Sequence, residues 1–144
     1  MRTLLIAIAS SAAALAASGS IAADISPGLW EITMETRVAA NPGFAPAPFR
    51  MTQCLSAEDA RDPARLLGQI ANSGASGCSY SDRNYLGNTL TFTLQCAGSY
   101  GIASRGQVAF TADTMDGSIT ATADLGGSSV ETQNRVSARR IGGC

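Results

Sequence analysis

Thr89-Leu90-Thr91-Phe92-Thr93-Leu94-Gln95-Cys96 alternates polar and apolar side chains without an error. A period of two belongs to an extended chain whose successive side chains point to opposite faces, so the stretch predicts a β-strand with one face buried. Upstream, the three residues Leu86-Gly87-Asn88 separate it from Cys78 to Tyr85, and the pair reads as a hairpin. Downstream, Arg105 to Ala112 predicts a strand with Val108 and Phe110 inward, and Asp116-Gly117 predicts a turn. Ile119 to Ala123 and Val130 to Ile141 follow as strands joined through Gly126-Gly127. Strands at a spacing of roughly ten residues, joined by short turns, indicate an antiparallel meander. Its apolar face must be covered, either by curling into a barrel or half-barrel or by a helix.

The region before Cys78 supplies two more strands and that helix. Leu29 to Val38 alternates, with Trp30, Ile32, Met34 and Val38 on one face and Glu31, Thr33, Glu35 and Arg37 on the other. A Pro-rich loop follows over 41–48, and Phe49 to Leu55 is a short strand. Ser56-Ala57-Glu58-Asp59 has a cap residue with an acid three positions on, and Asp62-Pro63 repeats the start signal. Leu66, Leu67 and Ile70 come at helical spacing, so one helical region is expected near 57–72. The fold expected is mainly β: one antiparallel meander sheet, curved or barrel-like, with one short helix.

Residues 1–22 have the order of a secretory signal peptide. Arg2 is the positive start, Leu4 to Ala17 is an apolar run of 14 residues, and Ser20-Ile21-Ala22 ends in small side chains. Cleavage is expected after Ala22 or Ala23. The run is shorter than the roughly 20 residues of a membrane span. The expectation is therefore a periplasmic chain with a single disulfide-stapled domain over 23–144 and no transmembrane segment. Loss of the leader removes Arg2 and leaves 9 arginines against 11 acidic side chains.

Cys54, Cys78, Cys96 and Cys144 all lie in the exported part. An even count in an oxidising compartment points to two disulfides. The gaps of 24, 18 and 48 residues do not suit a zinc site, which uses short paired spacings. Face parity favours Cys78–Cys96 across the hairpin: a three-residue turn opposes Tyr85 to Thr89, Tyr80 to Leu94 and Cys78 to Cys96. It also sets Asp82 against Phe92 on the apolar face, and leaves Ser79, Ser81, Arg83 and Tyr85 on a polar one. Cys54–Cys144 is then the second bridge. The alternative is Cys54–Cys78 with Cys96–Cys144.

The order of these features resembles a known family. Pro27-Gly28-Leu29-Trp30-Glu31-Ile32 opens the domain, then come Thr52-Gln53-Cys54-Leu55-Ser56, Cys78, and Gly87-Asn88-Thr89 leading to Cys96. The chain closes with Arg140-Ile141-Gly142-Gly143-Cys144. This resembles the domain of unknown function 3617 family, small exported proteins of Gram-negative bacteria, over about 25–144. The loop at 41–48 is less rich in Met than the family pattern. The resemblance implies a periplasmic or envelope location and one four-cysteine β-rich domain. It implies no activity and no catalytic residues.

Composition narrows the chemistry. All 10 basic residues are Arg, and the chain has neither His nor Lys. A serine or cysteine nucleophile lacks its usual base, and no G-x-S-x-G elbow occurs. The net charge of −1 gives no basic face for nucleic acid. Glu31 and Glu35 share a strand face, but four residues separate their backbones by about 13 Å, beyond the glycosidase range. Asp113, Asp116 and Gly117 have the composition of a calcium loop, but Thr114 and Met115 break the ligand spacing. No catalytic residue, cofactor or metal site is expected. Trp30, Leu90, Phe92, Leu94 and Phe110 are inward and are candidate ligand contacts as well as core. Phe44 and Phe49, beside the Pro-rich loop, are candidate contacts for a partner. The function expected is non-enzymatic binding of a small apolar ligand or envelope component. The alternatives are a rigid disulfide scaffold acting as inhibitor or interaction module, and an enzyme using carboxylates alone.

Overall fold

The computed structural model describes residues 24–98 and 100–144, so the expected leader at 1–22 lies outside the described residues. Among the described residues seven strands form: β1 (Gly28–Val38), β2 (Phe49–Leu55), β3 (Cys78–Leu86), β4 (Thr89–Cys96), β5 (Ala103–Phe110), β6 (Thr114–Leu125) and β7 (Ser128–Gly142). A 3-10 turn (Asp59–Arg61) and one helix, α1 (Ala64–Gly74), lie between β2 and β3.

All pairings are antiparallel, and the sheet order is β2-β1-β7-β6-β5-β4-β3. β3 to β7 are a meander. β1 then lies along β7, with β2 outside it. The sheet is open rather than a closed barrel, and β2 and β3 are its two edges. The chain leaves the sheet at one edge and re-enters at the other. The connection between them carries α1 across one face, and that face holds the core.

The helical region is divided where the sequence repeats its start signal. Asp62 is extended (φ −129°, ψ 93°), as a residue before proline prefers. Its Oδ1 accepts a hydrogen bond from the Ala64 amide at 3.3 Å, which caps α1. Ser56 Oγ accepts from the Asp59 amide at 3.1 Å and so caps the preceding turn. Leu66, Leu67 and Ile70 face the sheet and are buried. Against them pack Trp30 and Ile32 of β1, Leu90, Phe92 and Leu94 of β4, Val108 and Phe110 of β5, Met115 of β6 and Val136 of β7. Each large apolar side chain removed from water in this way contributes about 1.5–3 kcal/mol. Trp30 is fully buried and donates its indole N–H to the Ser26 carbonyl at 3.0 Å.

Two sequence expectations need correction. Asp116-Gly117 is not a turn. It lies inside β6, with Gly117 opposite Val108 and Val136. The turn comes earlier, where the Thr111 hydroxyl accepts from the Thr114 amide at 3.0 Å. Gly117 serves a close approach instead: a Cβ there would stand 2.7 Å from Val108 Cγ2 and press on the Gln107 carbonyl oxygen. The hairpin turn also differs. Leu86 opposes Thr89, so the loop is the two-residue Gly87-Asn88, with Gly87 at φ +60°. A bulge at Ser81 then adds one residue to β3, between Tyr80 and Asp82. The bulge restores the expected far end, with Tyr80 opposite Leu94 and Cys78 opposite Cys96. It also places Arg83, not Asp82, opposite Phe92, and moves Arg83 and Tyr85 to the helix side.

The disulfides are Cys78–Cys96 and Cys54–Cys144. The first ties the start of β3 to the end of β4. The second ties the C-terminus to β2 across a sequence separation of 90, a constraint worth about 4–5 kcal/mol in the chain-entropy view.

Candidate functional site

α1 is fastened at both ends. At its start, Tyr80 donates its hydroxyl to the Ala64 carbonyl at 2.6 Å, and Tyr85 donates to Asp62 Oδ1 at 2.8 Å. Tyr85 Oη in turn accepts from the Ala64 amide at 2.9 Å, and Arg83 pairs with Asp62 Oδ2 at 2.7 Å. Burial opposes the charge on Asp62, but the hydrogen bonds from Tyr85 and Arg83, the Arg83 charge and the Ala64 amide outweigh it and hold the carboxyl below its usual range. Burial, reinforced by the Asp62 charge, pushes both tyrosine hydroxyls up, so they stay protonated donors. At the other end, Asn72 accepts from the Cys78 amide at 3.2 Å, beside the Cys78–Cys96 bridge. These residues satisfy one another, and their job is to hold the helix.

The helix does not cover the whole face. A cleft of about 210 Å³ opens between α1 and the sheet. Leu67, Ile70 and Ala71 line it from the helix. Met34, Phe92, Leu94, Cys96, Ile119 and Val136 line it from the strands. Three polar side chains join them: Ser104, Thr132 and Asn134. Asn134 donates to the Ile119 carbonyl (3.3 Å) and to Thr132 Oγ1 (3.1 Å), and accepts from Thr36 Oγ1 at 2.7 Å. Thr132 donates to the Ala121 carbonyl at 3.4 Å. Among the described residues no charged side chain lines the cleft. An engineered apolar cavity of about 150 Å³ holds benzene, whereas drug-sized ligands need about 300–1,000 Å³. The cleft matches a small apolar group.

The candidates named from sequence separate into three groups. Phe92 and Leu94 line the cleft. Trp30, Leu90 and Phe110 are fully enclosed core. Phe44 and Phe49 stand at the opposite extreme, 54% and 49% exposed, along the loop 39–48 and the free edge of β2. Cys96 also lines the cleft, while Cys54 and Cys144 are remote from it on the outer side of β2 and at the C-terminus. Glu31 is bound by Arg139 through two contacts of 2.9 and 2.8 Å, and Glu35 is solvated. Asp113 lies in a turn and Asp116 points outward from β6. Among the described residues no three metal-ligating side chains gather. Sequence reasoning missed Ile119, Ser104, Thr132 and Asn134. Their inward parity on β5, β6 and β7 was the available signal.

The family model described as "Protein of unknown function (DUF3617)" matches residues 25–144. The chain belongs to the DUF3617 family. No curated protein and no solved structure matches it. The DUF3617 match spans both disulfides, α1 and all seven strands, so the cleft is formed wholly within the family domain.

Proposed function

We propose that this DUF3617 chain is a periplasmic, non-enzymatic β-domain that binds a small apolar ligand in the cleft between α1 and the sheet. The observation that carries the reading is the uncharged, mainly apolar lining of that cleft beneath a helix fastened at both ends. The leader-like start and two disulfides support export. The non-enzymatic reading is supported by the lack of His and Lys and by the engagement of all four thiols in bridges.

Ala121 lines the cleft, and a phenyl ring in its place is expected to occupy that space. Ethylbenzene binding followed by NMR saturation transfer tests the reading. The native protein is expected to bind saturably, and Ala121→Phe to lose binding while keeping its circular dichroism. Equal binding by the two proteins, or none by the native one, overturns it. A second reading, an interaction module presenting loop 39–48, is favoured by the exposure of Phe44 and Phe49.

A further inference from the structure

Resting on the cleft reading above, we infer that its ligand is a neutral amphiphile whose hydrogen-bonding group meets Ser104. Ser104 lies on β5 between Leu94 and Ala121, so its hydroxyl stands in the apolar part of the lining. Among the described residues that hydroxyl has no protein hydrogen-bond partner. The other two polar side chains of the cleft are committed to each other and to backbone carbonyls. Ser104 is therefore the side chain of the lining whose donor and acceptor are both available.

Charge sets the rest of the class. The cations on the strands that line the cleft, Arg37, Arg105, Arg135, Arg139 and Arg140, are all exposed, and none of them reaches its lining. Arg83, on the helix side, is already paired with Asp62. A carboxylate brought into the cleft meets no counter-ion, and an ammonium meets no carboxylate. Taking either from water without a partner costs far more than burying a hydroxyl that finds one hydrogen bond. The cleft volume limits the apolar end to the size of a phenyl ring or a short branched chain.

Three probes with a common ring separate the possibilities at pH 7: ethylbenzene, 2-phenylethanol and phenylacetate, measured by calorimetry or NMR. The native protein is expected to bind 2-phenylethanol at least about ten-fold tighter than phenylacetate. Ser104→Ala is expected to weaken 2-phenylethanol about five-fold, a neutral hydrogen bond's worth, and to leave ethylbenzene within about two-fold. Phenylacetate binding as tightly as the alcohol, or no effect of Ser104→Ala on the alcohol, overturns this inference while leaving the cleft reading standing if ethylbenzene binds. Failure of all three probes overturns both.

Discussion

Gly117 shows how a single residue type can carry two opposite messages. Asp-Gly is a strong turn signal, because glycine accepts the positive φ that hairpin turns require. At Asp116-Gly117 the glycine meets a different need, room for the neighbouring strand. Its φ is not positive, and the missing Cβ is what lets Gln107 and Val108 approach. A local pattern cannot distinguish these demands, since the second depends on a partner strand. The corresponding prediction is that Gly117→Ala destabilises by about 1–3 kcal/mol, the range for overfilling a packed site, although alanine suits a strand better than glycine. Urea unfolding followed through Trp30 fluorescence checks it. A neutral or stabilising substitution would show that the strands yield at no cost.

At the scale of elements, the strands were legible because a half-buried strand prints its period on the sequence. β4 matches Thr89 to Cys96 as read, and β1 and β2 match within one residue. The β3 register was harder. Three turn residues, or two with a bulge at Ser81, both bring Cys78 opposite Cys96, so the far end of the hairpin was readable while its middle was not. The Asp82–Phe92 mismatch was the visible symptom, and the bulge removes it by presenting Arg83 and Tyr85 to Asp62. That cluster gives the second prediction. The Asp62 carboxylate has a depressed pKa, so its contribution is full well above the ordinary value of 3.8 and is lost as the pH falls through the folded-state value. Asp62→Asn is expected to cost about 1 kcal/mol at pH 7, through the weakened cap and the lost pairing with the half-exposed Arg83. The gap between native protein and variant should then narrow as the pH falls below 3.8. A gap that is the same at pH 7 and pH 3 would mean that the Asp62 charge does not hold α1.

At the scale of the whole molecule, the strand periodicities left the barrel question open. Closure depends on whether β2 and β3 meet, and no residue pattern within either strand reports that. The helical connection between the two edges settles it by covering the face instead. The cleft was the least legible feature. Its lining runs from Met34 to Val136 and draws on β1, α1, β4, β5, β6 and β7, so it exists only once the sheet order is fixed. Of the five aromatics singled out from sequence, Phe92 alone lines it, because large inward rings mostly fill the packed end of the face. Smaller residues such as Ala71, Ser104 and Ala121 leave the space. The proposed function requires that space to be where a ligand goes. Titration of the uniformly labelled protein with 2-phenylethanol, read amide by amide by NMR, tests it most directly. Saturable shifts centred on Ala71, Ser104, Ala121 and Thr132 are expected. Shifts confined to loop 39–48 and Phe49, or no shifts at all, would contradict it.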